Sequence, residues 1–273
     1  MSGWAGLTAI VTGASGGIGE QLAVQLAAAG AHLALVARRA EELERVAALC
    51  RAAAPGGQAT VITTIPCDLT DQAACRAMVE EAVRRLGRLD VLVNNAGQGM
   101  WGRADAMQDL SVYETMLRVN YLSVVWVTLA ALPHLKATRG RILGVGSVSG
   151  KTGVPLRSGY AAAKHAMTGF LDTLRIELDL DGSGVSVTMI HPGFVYTGSQ
   201  ARNLGADGKA LGAMPVRPAG GIEPDECARQ LLAGGLARER DLFPGARVKL
   251  MVALKHLVPG YVDALVSKVI RGK

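Results

Sequence analysis

The chain has little that could staple it, bind a metal or stack nucleic-acid bases. Only four of its 273 residues are cysteine: Cys50, Cys67, Cys75 and Cys227. They are too few and too scattered for a disulfide framework, and no C-x-x-C pair occurs, so no metal is expected. Aromatic residues are 4% of the chain, which leaves few platforms for stacking bases, and no nucleic-acid partner is expected. Charged residues at 19% beside 49% hydrophobic ones exclude general disorder. The start, Met1-Ser2-Gly3-Trp4, lacks the basic segment and apolar stretch of a signal peptide. A reducing, cytoplasmic setting is therefore expected. The long uncharged run Val119–Leu135 contains Asn120, Ser123, Thr128, Pro133 and His134. It reads as a buried core helix and not a membrane span.

What the chain does have is alternation. Short apolar runs (Leu7–Thr12, His32–Ala37, Ala59–Ile65, Leu89–Val93, Gly140–Ser147, Gly184–His191) are separated by helix-period segments (Gly17–Ala29, Ala40–Ala54, Asp71–Leu86, Asp109–Leu135, Leu156–Leu180). Glu223–Ala237 resumes helix, and Asp241–Phe243 is a weak strand. Repeated β-α alternation predicts an α/β, three-layer, doubly wound parallel sheet with its ligand at the carboxyl ends of the strands. No composition break divides residues 1–246, which are expected to form one domain. The glycine-rich stretch 194–221 reads as a mobile loop insertion. Residues 247–273 read as an amphipathic helical extension with a break at Pro259-Gly260.

The first strand runs into Gly13-Ala-Ser-Gly-Gly17-Ile-Gly19, which opens a helix. A helix N-terminus preceded by glycines lets backbone N–H groups approach a dinucleotide pyrophosphate. After the second strand, where an acidic residue would meet a ribose 2′-hydroxyl, stand Arg38 and Arg39. Two guanidinium groups suit a 2′-phosphate, so NADP(H) is preferred over NAD(H). The net charge of +6 fits an anionic ligand or surface.

Tyr160 and Lys164, four apart, share a helix face, and Ser147 ends the strand before it. Hydride transfer at a carbonyl carbon needs a matching proton at its oxygen, and a tyrosine acidified by a neighbouring ammonium can exchange it. Bringing a phenol from a pKa of about 10 to near neutrality corresponds to about 4 kcal/mol. An ion pair at about 4 Å in water gives only about 1 kcal/mol, so a shielded site is required.

These motifs, with Cys67-Asp-Leu-Thr70, Asn94-Asn-Ala-Gly97, Asn120 and His191-Pro-Gly-Phe-Val-Tyr-Thr197, resemble the short-chain dehydrogenase/reductases of the compact, single-domain, Rossmann-like branch. The resemblance covers residues 7 to about 240. It implies that Gly13, Ser15, Gly17, Ile18 and Gly19 cradle the pyrophosphate. Arg38 and Arg39 would meet the 2′-phosphate, and Asp68 and Leu69 would flank adenine. Asn94, Ala96 and Gly97 would line the adenosine-side ribose and the central sheet. Pro192, Gly193, Val195 and Thr197 would contact the nicotinamide end. Tyr160 would be the general acid/base, and Lys164 would bind the nicotinamide ribose and depress the tyrosine pKa. Ser147 would orient the carbonyl, and Asn120 would kink its helix and hold a relay water. The resemblance also implies a homodimer or homotetramer. The chain departs from the family in carrying Gly144 and Gly146 just before Ser147 and no basic residue in the glycine loop.

Met100, Trp101, Val154, Leu156 and Phe194, with Leu211 and Met214, are the expected substrate walls. They favour an apolar ketone, aldehyde or secondary alcohol. The tail residues 241–273 carry six basic and two acidic residues, so peripheral membrane contact through the C-terminal helix is an alternative to packing on the body. The remaining alternatives are a cofactor-binding regulator or scaffold without turnover and a membrane-surface reductase of lipid, steroid or retinoid type.

Overall fold

The computed structural model describes residues 2–56, 60–213 and 220–271. Seven parallel strands form one sheet in the order β3-β2-β1-β4-β5-β6-β7. They are β1 (Thr8–Thr12), β2 (His32–Ala37), β3 (Ile62–Pro66), β4 (Val91–Asn94), β5 (Arg141–Val145), β6 (Ser186–Ile190) and β7 (Asp241–Leu242). The helices are α1 (Gly17–Ala28), α2 (Ala40–Ala53), α3 (Gln72–Leu86), α4 (Ser111–Leu117), α5 (Ser123–Thr138), α6 (Ser158–Leu180), α7 (Pro224–Ala237), α8 (Ala246–Leu257) and α9 (Pro259–Arg271). The strand order reverses between β1 and β4, which opens a crevice at their carboxyl ends.

Both faces of the sheet are covered. Ala9, Val11, Leu33, Leu35, Val91, Val93, Leu143 and Val145 point to one core, shared with Leu22 and Leu26 of α1, Leu43 and Val46 of α2, and Leu231 of α7. The intervening residues Ile10, Ala34, Val36, Leu92 and Ile142 point to the other, with Val79 of α3, Val127 of α5 and Leu171 of α6. This period-two alternation with both faces apolar is why the strands read as continuous hydrophobic runs. Each fully buried leucine contributes about 1.5–3 kcal/mol by leaving water.

Local signals place the helix ends. Asp71, expected inside α3, is its N-cap, with Oδ1 accepting from the Ala73 and Ala74 N–H groups at 2.7 and 3.1 Å. The long apolar helix runs over residues 111–138 and is interrupted by a π-turn at Arg118–Leu122, which contains Asn120. It is the one helix among the described residues long and apolar enough to cross a membrane. Val124, Val127, Ala131 and Leu135 on it nevertheless pack in the core.

The stretch 194–221 is more ordered than a bare loop insertion through its described residues. It contains a short 3-10 helix, Ser199–Arg202, and Leu204 bridges to Met100 and Ala210. Met214 lies outside the described residues. The tail folds as two helices, α8 and α9, with Val252, Val262 and Val266 buried.

Candidate active site

The cleft at the sheet switch point is a cavity of about 400 Å³. The glycine loop forms one end. Gly13 has φ 67°, and a Cβ on it would lie 2.8 Å from the Ala96 Cα, so the turn and the close approach both require glycine. The loop feeds α1, whose N-cap, Gly16, supplies no side-chain hydrogen bond. Its first-turn N–H groups therefore lack the usual side-chain cap at the cleft. Gly13, Ser15, Gly17 and Ile18 line the cleft, as do Asp68, Leu69, Ala96 and Gly97. Two expected cofactor residues act behind it. A Cβ on Gly19 would fall 2.2 Å from the Gly13 carbonyl oxygen, so Gly19 lets α1 pack on the loop. Asn94 is buried in the sheet, with Nδ2 donating to Thr128 Oγ1 at 2.9 Å. The adjacent Asn95, not singled out from sequence, lines the cleft and clamps the loop, with Nδ2 donating to the Thr12 and Gly13 carbonyls.

Arg38 and Arg39 reach the same cavity from the end of β2. Arg39 Nη2 donates to Ser15 Oγ at 3.2 Å and to the Ser15 carbonyl at 3.3 Å. A third guanidinium, Arg202 from the 3-10 helix, lines the cavity as well. Burial lowers the Arg202 pKa, and the charges of Arg39 and Arg38 lower it further, while Glu42 opposes them. Sequence reasoning missed Arg202 because no periodicity links a residue after β6 to the end of β2.

At the opposite end stand Ser147, Tyr160 and Lys164, all on the cavity wall. The Ser147 Oγ accepts the Ser149 N–H at 3.1 Å. Lys164 is 3% exposed; its Nζ donates to the Val145 carbonyl at 2.8 Å and lies 5.8 Å from the Tyr160 ring centroid. Burial pushes the Lys164 ammonium down to about 8. The Tyr160 phenol departs from expectation. Burial raises its pKa above the ordinary value, against the opposing pull of the Arg157 charge and the Ser147 hydrogen bond. The protein alone therefore keeps Tyr160 protonated.

Asn120 is fully buried. Its Oδ1 accepts the Gln98 N–H at 3.2 Å, and its Nδ2 donates to the Gln98 and Met116 carbonyls at 2.9 and 3.0 Å. The side-chain amide thus ties the π-turn to the loop after β4.

Pro192, Gly193, Phe194, Val195 and Thr197 line the cleft. The other expected substrate walls fall elsewhere. Met100 is fully buried in a separate core with Val112, Met116 and Ala163, and its Sδ accepts the Gly159 N–H. It packs in that core and does not line the cleft. Val154 borders a second cavity between the start of α6 and α9. Leu156 forms a turn with φ 66°, strained for a non-glycine residue. Trp101 lies under the Arg157 guanidinium, 5.1 Å from Cζ to ring centroid. Among the described residues no cluster of His, Cys, Asp and Glu could hold a metal ion.

A family model described as short chain dehydrogenase matches residues 7–206. A dehydrogenase/reductase SDR family protein 7-like of Anopheles gambiae is 36% identical over 261 residues, covering 93% of this chain and 80% of that protein. An 11-beta-hydroxysteroid dehydrogenase 1A of Arabidopsis thaliana is 33% identical over 269 residues, covering 94% and 74%. The solved alcohol dehydrogenase of Thermococcus sibiricus complexed with 5-hydroxy-NADP superposes with TM-score 0.73 at 29% identity over 87% of this chain and 95% of that one. A Burkholderia phymatum short-chain dehydrogenase/reductase in complex with NAD shares the fold, with TM-score 0.81 at 22% identity over 93% and 94%.

Proposed function

Since the chain belongs to the short-chain dehydrogenase/reductase family of oxidoreductases, we propose that it is an NADP-dependent enzyme acting on the carbonyl or secondary alcohol of a largely apolar substrate, with Tyr160 as general acid/base. The uncapped α1 N-terminus and the guanidinium groups beside it fit a dinucleotide that carries a 2′-phosphate. Gly13, Ser15, Gly17 and Ile18 would hold the pyrophosphate, and Arg38, Arg39 and Arg202 the 2′-phosphate. Asp68 and Leu69 would flank adenine. Bound NADPH supplies the hydride.

The chain's own residues handle the proton. Ser147 Oγ and Tyr160 Oη share one wall of the cleft, where a carbonyl oxygen can meet both. Tyr160, protonated at neutral pH, is ready to donate its Oη proton as the alcohol forms. The Lys164 ammonium beside the ring stabilises the phenolate left behind. Asn120 holds the loop after β4 against the π-turn, which keeps Gly97 and Gln98 on the cleft wall. Convergence of Ser147, Tyr160 and Lys164 on one wall of a cationic cleft is the observation that carries this reading. A screen of NADPH oxidation against apolar ketones and aldehydes tests it: turnover of at least one is expected, and inertness across the panel counts against it.

Exposed Leu117, Leu129, Ile176 and Leu180 on α4, α5 and α6 favour pairing of these helices in a homodimer or homotetramer. A second reading, a reductase resting on a membrane surface, is favoured by the tail. Leu250, Leu257, Val258, Tyr261 and Leu265 are exposed there beside Arg247, Lys249 and Lys268. Flotation with anionic liposomes, with and without residues 247–273, tests it: only the intact chain should float.

A further inference from the structure

Six charged side chains line the cleft, and five are cations: Arg38, Arg39, Arg157, Lys164 and Arg202 against Asp68. The proposed cofactor phosphates account for Arg38, Arg39 and Arg202, and the proton chemistry accounts for Lys164. Arg157 is left over.

Arg157 is the N-cap residue of α6, one turn before Tyr160. It is half-buried, and no carboxylate among the described residues forms a salt bridge or hydrogen bond with it. Its one charged influence is the Tyr160 phenol, and burial pulls its pKa below the ordinary value. Taking a guanidinium partly out of water without a counter-ion is costly, and an anionic ligand would offset that cost.

The platform beneath it is built. The Trp101 N–H donates to the Leu204 carbonyl at 2.8 Å, and the Gly102 N–H to the Leu156 carbonyl at 2.9 Å. These backbone bonds tie residues 101–102 to Leu204 and to Leu156, the residue before Arg157, and the Arg157 guanidinium lies over the Trp101 ring. The strained turn at Leu156 directly precedes Arg157 and holds conformational energy at this point of the cleft. A guanidinium held over a ring face by cation–π attraction keeps N–H donors for a carboxylate, which it can receive in bidentate fashion.

We propose that the substrate is amphipathic: an apolar ketone or secondary alcohol bearing a carboxylate, which Arg157, placed over the Trp101 ring, holds while the reacting oxygen faces Tyr160 and Ser147. This rests on the oxidoreductase reading above and narrows its substrate class. Arg157 is a specificity determinant, and the carboxylate takes no part in bond making or breaking.

Two readouts test it. The first is kcat/KM for aryl keto acids, with the carboxylate two to five bonds from the ketone, each against its methyl ester. The unaltered enzyme should prefer at least one acid by about tenfold or more. Arg157→Gln should bring that ratio to near one, and Arg157→Lys should keep part of it. Any general loss of rate cancels in the ratio. The second is binding of 4-phenylbutanoate and of its amide to the enzyme saturated with NADP. The acid should bind about tenfold more tightly, and Arg157→Gln should abolish the difference while NADPH affinity holds.

A preference for esters and amides, or an acid preference that survives Arg157→Gln, overturns the proposal. If neutral ketones are turned over with no acid preference, this inference fails and the oxidoreductase reading stands. If no ketone is turned over but carboxylate binding depends on Arg157, the carboxylate site stands and the oxidoreductase reading fails.

Discussion

Lys164 Nζ lies 5.8 Å from the centre of the Tyr160 ring while donating to the Val145 carbonyl at 2.8 Å. One donor of the ammonium is thus spent on holding the end of β5 and a second meets Met167 Sδ at 3.7 Å, which leaves the third for the cleft. The amine is buried with a pKa of about 8, below its ordinary 10.5. Between those values the unfolded chain binds a proton that the folded chain has lost, so raising the pH across this window stabilises the fold. The urea unfolding free energy of the unaltered protein relative to Lys164→Met should therefore rise between pH 8 and 10.5, by on the order of 2–3 kcal/mol. A flat difference would mean that the buried amine titrates normally.

The four thiols have the opposite sign. Burial pushes Cys67 up to about 11 and Cys50, Cys75 and Cys227 up to about 12. In the unfolded chain thiols ionise near pH 8.5, so their contribution is intact below that pH and is lost as the pH rises toward the folded values. All four are buried, and the native protein at pH 8 should resist iodoacetamide until denaturant is added. Rapid labelling of the native chain would contradict this packing.

Cofactor choice rests on the guanidinium groups at the end of β2. Arg38→Ala should weaken NADPH binding by about tenfold or more, about 1.4 kcal/mol, and leave NADH binding nearly unchanged. Arg202→Ala should move NADPH in the same direction. Fluorescence titration with both cofactors is the check, and equal losses for the two would remove the 2′-phosphate assignment.

Asn120 makes three hydrogen bonds from a fully buried amide. Asn120→Ala leaves the Gln98 N–H and the Gln98 and Met116 carbonyls without those partners. It should cost about 1–3 kcal/mol for each buried group left unpaired, partly relieved by water. Chemical denaturation measures the loss, and an unchanged midpoint would show that the amide does not hold the π-turn to the loop.

Local signals made much of this legible in sequence. The strands were readable because every core position alternates between two apolar faces, and β2 begins and ends where its pattern does. The helical segment 71–86 was legible by its period, but its start was placed one residue early, because Asp71 caps α3 and does not open it. The set Ser147, Tyr160 and Lys164 was readable because a strand end and one helix turn carry all of it. Arg202 and Arg157 were not, because each matters through a neighbour distant in sequence: Arg39 for one, Trp101 for the other. Met100 looked like a wall by its apolarity, but apolarity does not tell a cleft from a core. The direction of the Tyr160 shift was also invisible, since it depends on burial.

Proton exchange at the Tyr160 hydroxyl is tested most directly by Tyr160→Phe, which removes one oxygen and keeps the ring. With a ketone that the unaltered enzyme reduces, kcat should fall by about 10²–10⁴-fold, while NADPH binds with unchanged affinity. Turnover within a few-fold of the unaltered enzyme would contradict the assignment of Tyr160 as the proton donor.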